Sequence, residues 1–201
     1  MNIVCCDLEG VFVPEIWINV AEKTGIDELR LTTRDISDYD VLMKKRLAIL
    51  TSHGLKLADI TDVIATIDPL EGALEFLTWL RKQTQVIIVS DTFTQFAGPL
   101  MKKLLMPTLF CNTLTIGDDG AVIDYVLRQK EGKRRTVLAL RSLNYHITAM
   151  GDSYNDTGML AEADLGILFR PPENVVREFP QFPVATDYDT VRTLLADSLT
   201  K

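Results

Sequence analysis

From residue 71 onward, short apolar runs alternate with stretches of helical periodicity, and that alternation admits few folds. Val86-Ile87-Ile88-Val89, Leu109-Phe110-Cys111, Ile147-Thr148-Ala149-Met150 and Leu165 to Phe169 have little or no polar face, the pattern of strands buried on both sides. Between and beyond them lie helical segments: Ala73, Phe76, Leu77 and Leu80 on one stripe, then residues 96–105, 132–143 and 156–163. A short strand near Val184 and a terminal helix carrying Val191, Leu194 and Leu195 close the chain. Strands separated by helices pair in parallel, so the expected fold is α/β: a doubly wound, Rossmann-like parallel sheet with helices on both faces. Ile3-Val4-Cys5-Cys6 supplies a further strand, and Asp118-Asp119-Gly120 is the turn of one hairpin, between Thr113–Ile116 and Val122–Tyr125.

Residues 15–67 break the alternation. Glu15 to Lys23 presents Ile16, Trp17, Val20 and Ala21 on one face before Gly25, and Asp40 to His53 spaces Met43, Leu47 and Leu50 helically before Gly54. Ile60, Val63, Ile64 and Ile67 make a third stripe, and Asp68-Pro69 ends it, because proline lacks an N–H and drives its predecessor out of the helical region. The reading is a small helical cap over residues 14–68, inserted into a core of residues 1–13 and 69–201.

At 201 residues and 47% hydrophobic, the chain can bury one substantial core. A net charge of −7 without a basic block removes the electrostatic footprint of a nucleic-acid binder, so the expected partner is a small molecule. No apolar run approaches membrane-spanning length. The three cysteines, Cys5, Cys6 and Cys111, are odd in number, and the first two point to opposite faces of one strand, which suits a reducing, cytoplasmic setting.

The chemistry lies at the strand ends. Asp7-Leu8-Glu9-Gly10 follows the first strand, and Gly151-Asp152-Ser153-Tyr154-Asn155-Asp156 follows another, where an open α/β sheet builds its sites. Hard carboxylate ligands, few in number, suit Mg²⁺ shared with a substrate phosphate. Asp7 is placed to attack phosphorus, and Glu9, two residues on and on the same face, to protonate the leaving oxygen. Taken alone, Asp-x-Glu reads first as a helix cap beside a solvated acid, and its place at a strand end reverses that. Ser90, with the N–H groups of Asp91 and Thr92, stands where phosphoryl oxygens would be held; an ordinary helix N-cap is the competing reading. Lys133 is a candidate to neutralise phosphoryl charge, with Lys130 as the alternative and a solvated lysine as the bland one. A polar turn would account for one of Asp152 and Asp156, hardly for both with Asn155. His53 and His146 read as capping or surface groups, Trp17 and Trp79 as core, and Arg170-Pro171-Pro172-Glu173 as a loop bounding the site.

The order Asp7-x-Glu9, Ser90, Lys133, Gly151-Asp152-x-x-Asn155-Asp156 resembles the four motifs of the haloacid dehalogenase superfamily, and the likeness covers the whole chain. Within it, Ile67-Asp68-Pro69-Leu70-Glu71-Gly72-Ala73, Val89-Ser90-Asp91-Thr92-Phe93 and Gly158-Met159-Leu160-Ala161-Glu162-Ala163 resemble the phosphoserine phosphatase family. The resemblance implies Mg²⁺ held by Asp7, the backbone carbonyl of Glu9 and Asp152, with Asn155 and Asp156 behind these ligands and Asn155 also facing the substrate. It further implies that Glu15 and Arg46, in Met43-Lys44-Lys45-Arg46-Leu47, bind the amino acid end of phosphoserine. Two departures stand out: Glu9 where the family has aspartate, and Ser90-Asp91-Thr92-Phe93 where it has Ser-Gly-Gly-Phe. Both resemble the branch that also transfers phosphate from phosphoserine to homoserine, which implies serine and threonine biosynthesis as the setting. The rivals are a phosphatase of another small phosphomonoester and a receiver-like domain that accepts phosphate without turnover.

Overall fold

The computed structural model describes residues 1–32, 35–36 and 38–199. Seven strands form one sheet: β1 (Asn2–Cys6), β2 (Gln85–Phe93), β3 (Thr108–Ile116), β4 (Val122–Val126), β5 (His146–Gly151), β6 (Leu165–Phe169) and β7 (Val184–Ala185). Their spatial order is β4-β3-β2-β1-β5-β6-β7, and every pairing is parallel except β3 with β4. This is the doubly wound sheet expected from the alternation.

Side chains alternate across β1, so Val4 and Cys6 enter one core while Ile3 and Cys5 enter the other. The first core is covered by α4 (Ala73–Gln83), α5 (Thr94–Lys103) and α9 (Tyr188–Leu199), which contribute Phe76, Phe96 and Val191. The second lies under α6 (Gly132–Ser142), α7 (Thr157–Glu162) and α8 (Glu173–Glu178), through Val137, Met159 and Val175.

The helical insertion comprises α1 (Ile16–Thr24), a 3-10 turn at Asp27–Arg30, α2 (Tyr39–Ser52) and α3 (Leu57–Ala65). Residues 33, 34 and 37 of the expected cap, and 200 and 201 of the expected core, lie outside the described residues. Val20, Leu47 and Ile60 join the first core, so the insertion shares its apolar interior. Its two ends meet where the Leu70 N–H donates to the Phe12 carbonyl at 2.9 Å. The β3–β4 hairpin is tied to it at both ends: the Leu57 N–H donates to Gly120 O at 2.9 Å and Lys56 Nζ to Asp119 O at 2.8 Å, while the Tyr125 hydroxyl donates to Asp40 Oδ1 at 2.7 Å.

Register aligns the strand ends that matter. Cys6 pairs with Ile88 on one side and Met150 on the other, so Asp7, Ser90 and Gly151 emerge together at the carboxyl edge. Two strands differ from expectation. Leu109–Cys111 and Thr113–Ile116 are one strand, because buried Asn112 keeps the chain extended by donating Nδ2 to Asp91 O at 3.1 Å and accepting from the Arg128 N–H at 3.1 Å. β2 also runs on past Val89 to Phe93, with a register shift against β3 in between.

Candidate active site

Asp7 leaves β1 buried, its own N–H donating to Met150 O at 2.9 Å and its Oδ1 accepting from the Leu8 N–H at 2.7 Å. Its Oδ2 lies 2.9 Å from Lys133 Nζ, which reaches across from the first turn of α6 and also meets Asp156 Oδ1 at 2.7 Å. Lys133 is buried and Lys130 exposed, so Lys133 is not a solvated lysine, and of the two it is the one in the cavity wall. Carboxylate oxygens of Asp7, Asp152 and Asp156 lie within 4.8 Å of one another.

Asp156 is fully buried, and its Oδ2 accepts from the N–H groups of Asp152 at 3.0 Å and Ser153 at 3.1 Å. With Lys133 on the other oxygen, Asp156 braces the loop from behind. Asp152 takes the front, on the cavity wall beside Asp7. Two glycines permit this closeness. A Cβ on Gly10, at φ +74°, would stand 2.5 Å from the Asp152 carboxylate, and one on Gly151 would collide with that of Asp156.

Ser90 is not a helix cap: β2 continues through it, α5 starts only at Thr94, and the Ser90 Oγ accepts from the Thr92 N–H at 3.2 Å. Glu9 reaches the start of α1, where its Oε2 accepts the Ile16 N–H at 2.7 Å. Asn155 donates to Asp91 Oδ2 at 3.1 Å and accepts from Ser153 Oγ at 2.6 Å. Asp7, Glu9, Ser90, Asp91, Thr92, Lys133, Asp152 and Asn155 line one cavity of about 90 Å³, and Glu15 and Arg46 line its insertion side.

A model of the haloacid dehalogenase-like hydrolases matches residues 18–161. The chain belongs to that family. As a haloacid dehalogenase-like hydrolase it is similar to the phosphoserine phosphatase ThrH of Pseudomonas aeruginosa, 62% identical over 96% of this chain and 94% of that one. A phosphoserine phosphatase of Pseudomonas syringae pv. tomato is also 62% identical, over 96% and 81% of the two chains. Among solved structures, a phosphoserine phosphatase in apo form superposes with a TM-score of 0.77 at 22% identity, covering 97% and 98%, which bears on the fold alone.

The electrostatics of this hydrolase's site call for a cation. Burial, Asp156 and Asp152 hold the Asp7 carboxyl well above the usual range against the pull of Lys133. Burial, Asp156 and Glu15 raise Asp152 to about 7. Burial works against the Lys133 charge, but Asp156, Asp7 and Asp91 outweigh it and keep its pKa well above that of a free lysine. With all three carboxylates ionised, one ammonium would leave two negative charges unbalanced, and hard oxygen donors within 4.8 Å of one another around such a deficit fit Mg²⁺. Glu9 is pushed up to about 8, by burial and then Glu15, with the Ile16 N–H and Arg46 opposing, so it can carry a proton near neutrality.

Trp17, Thr32, Tyr39, Leu42 and Ser153 also line the cavity; of these the sequence marks only Trp17, through its nearness to Glu15, and it sets that residue in the core. Tyr39 and Leu42 precede Arg46 by seven and four residues, so helical spacing back from Arg46 was the available signal. The Tyr39 hydroxyl donates to Asp91 O at 3.0 Å, tying the insertion to the core. The 170–173 loop does not bound the site: the Arg170 guanidinium stacks 4.8 Å over Phe169 and 5.4 Å over Tyr188, on the aromatic side of the core, and none of the four residues lines the cavity. His53 and His146 are likewise absent from its walls. All three cysteines are free and buried, and among the described residues no helix is long and apolar enough to cross a membrane.

Proposed function

We propose that this hydrolase removes the phosphoryl group from phosphoserine and delivers it to water or to homoserine through an aspartyl-phosphate on Asp7. One observation carries the reading. A phosphate-suited end (Asp7, Ser90, Lys133) and an amino-acid-suited end (Glu15, Arg46) face the same cavity, whose volume of about 90 Å³ suits a small ligand. The similarity to two phosphoserine phosphatases supports it. We take residues 14–68 as the cap and residues 1–13 and 69–201 as the core, in a reducing cytoplasm that suits three free thiols.

Mg²⁺ held by Asp7, the Glu9 carbonyl and Asp152 would neutralise phosphoryl charge and favour the ionised Asp7 carboxylate. The Asp7 carboxylate attacks phosphorus while the bond from phosphorus to the serine oxygen breaks, and Glu9 passes its proton to that oxygen. Glu9, now ionised, takes the proton of water or of the homoserine hydroxyl as that oxygen attacks the phosphoenzyme and frees Asp7. Ser90, the Asp91 N–H and Lys133 hold the equatorial oxygens, the Thr92 N–H orienting the Ser90 hydroxyl, and the cap keeps stray water out. An amino acid held by Glu15 and Arg46 competes with water through effective concentration.

The test is incubation with phosphoserine and Mg²⁺, with and without homoserine, followed by separation of phosphate from phosphohomoserine. Phosphate release is expected in both, with part diverted to phosphohomoserine when homoserine is present. No release from phosphoserine overturns the reading; release without phosphohomoserine at saturating homoserine removes the transfer branch.

A further inference from the structure

Arg46 is 7% exposed, yet among the described residues no carboxylate is in direct contact with its guanidinium. One Nη donates to the Leu31 carbonyl at 2.7 Å and the other leans on the Met43 sulfur at 3.7 Å, while Nε has no hydrogen-bond partner. What faces the guanidinium is the ring of Trp17, with the Arg46 Cζ 4.6 Å from its centroid. Trp17 is 7% exposed, stands in the cavity wall, and is fixed edge-on against Phe96 at 5.6 Å and 72°. A buried cation with an unspent N–H, clamped on an aromatic face, is a fork prepared for a planar anion.

We infer that Trp17 is a positioning residue for substrate choice: its indole face holds the Arg46 guanidinium as a preformed carboxylate fork. The inference rests on the reading of Arg46 as the group that meets the substrate carboxylate. It adds a role to a residue whose apolar stripe reads first as core. The indole supplies two things that an aliphatic side chain of similar bulk cannot. Its quadrupole attracts the guanidinium face, and its flat surface fixes the plane in which Nε and Nη donate. Without it the guanidinium keeps its tether to Leu31 and loses its orientation.

Trp17→Leu, Trp17→Phe, Arg46→Ala and the Trp17→Leu/Arg46→Ala double variant, assayed with Mg²⁺ on phosphoserine and on para-nitrophenyl phosphate, test this. Trp17→Leu is expected to raise the phosphoserine KM on the order of tenfold, with less than about a threefold change in kcat or in either constant for the aryl phosphate, which has no carboxylate to lose. Trp17→Phe should recover most of the loss, and Trp17→Leu should add nothing in the Arg46→Ala background. A merely structural Trp17 moves both substrates alike and lowers Tm without rescue by phenylalanine, and that outcome overturns the inference, as does full additivity with Arg46→Ala. If Arg46→Ala itself fails to discriminate the two substrates, the reading of Arg46 falls and the inference with it. If Arg46→Ala discriminates and Trp17→Leu does not, the inference falls alone. An independent measurement uses Trp79→Phe/Asp7→Asn protein, which leaves Trp17 as the one tryptophan of two and stops turnover. Phosphoserine should change its emission, and an unchanged spectrum at saturation overturns the inference even if Trp17→Leu does not fold.

Discussion

Lys133 Nζ lies 2.9 Å from Asp7 Oδ2, with both side chains enclosed at the carboxyl edge of the sheet. Residues 126 positions apart thus share one buried charge pair, and Asp156 at 2.7 Å on the far side makes it a triad.

Lys133→Met keeps the length of that side chain and removes its charge, leaving buried carboxylates uncompensated. Metal-free stability should fall by about 3–5 kcal/mol, and phosphoserine turnover by about 10²-fold or more. Thermal melts and phosphate release measure both, with exposed Lys130→Met as the control. A Lys133→Met protein that melts and turns over like the parent would mean the pair is incidental.

Asp7→Asn should fold normally and lose turnover, since an amide is a poor nucleophile towards phosphorus. Glu9→Gln should slow both formation and discharge of the phosphoenzyme, each on the order of 10²-fold, because one group serves both proton transfers. Rapid-quench measurements with labelled phosphoserine separate the steps. Unchanged single-turnover rates in Glu9→Gln would reject the shared acid and base.

Asp152 predicts how pH acts on the metal-free protein. Its folded pKa of about 7 lies above the ordinary value of 3.8, so between these limits the folded chain keeps a proton the unfolded chain has released. That stability is full below the ordinary value and is lost as pH rises through about 7. Asp152 alone should therefore lower the metal-free Tm by about 3–5 °C between pH 6 and pH 8, and saturating Mg²⁺ should reduce the slope. Glu9, raised to about 8, adds to the same slope, so Asp152→Asn should lessen it without metal while the Glu9 part stays; an equally steep slope in that variant would assign the effect elsewhere.

Gly10→Ala tests the close approach of the two loops. A methyl group there meets the Asp152 carboxylate at 2.5 Å on a backbone at φ +74°. A cost of roughly 1–3 kcal/mol in stability is expected, with weaker Mg²⁺ binding by calorimetric titration. Parental Mg²⁺ affinity would show that the loop relaxes without moving Asp152.

The site was legible because its residues sit at fixed offsets from apolar runs. Asp7 and Asp152 follow apolar runs too short for a helix, so their meeting is a matter of parallel register, and Cys6 opposite Met150 fulfils it. The insertion was legible as helices and opaque as a surface. Which faces of α1 and α2 look into the cavity depends on how they dock, and neither the Trp17 stripe nor the place of Tyr39 at the head of α2 carries that information. The break expected within β3 had a local cause: a polar Asn112 interrupts an apolar run, and its partners, Asp91 O and Arg128 N–H, are distant in sequence. Ser90 was open to a capping role for a similar reason, since only the continuation of β2 to Phe93 excludes it.

Cys5 and Cys6 occupy the middle strand of seven, with three strands on either side and no exposed surface. A thiol reagent can meet them only when the whole sheet comes apart, so their rate of alkylation in native buffer is a clock for global opening. Asp7 is the next residue along. The carboxylate on which turnover is proposed to depend is thus anchored where amide exchange should be slowest, and alkylation of these two thiols should follow the loss of activity instead of causing it.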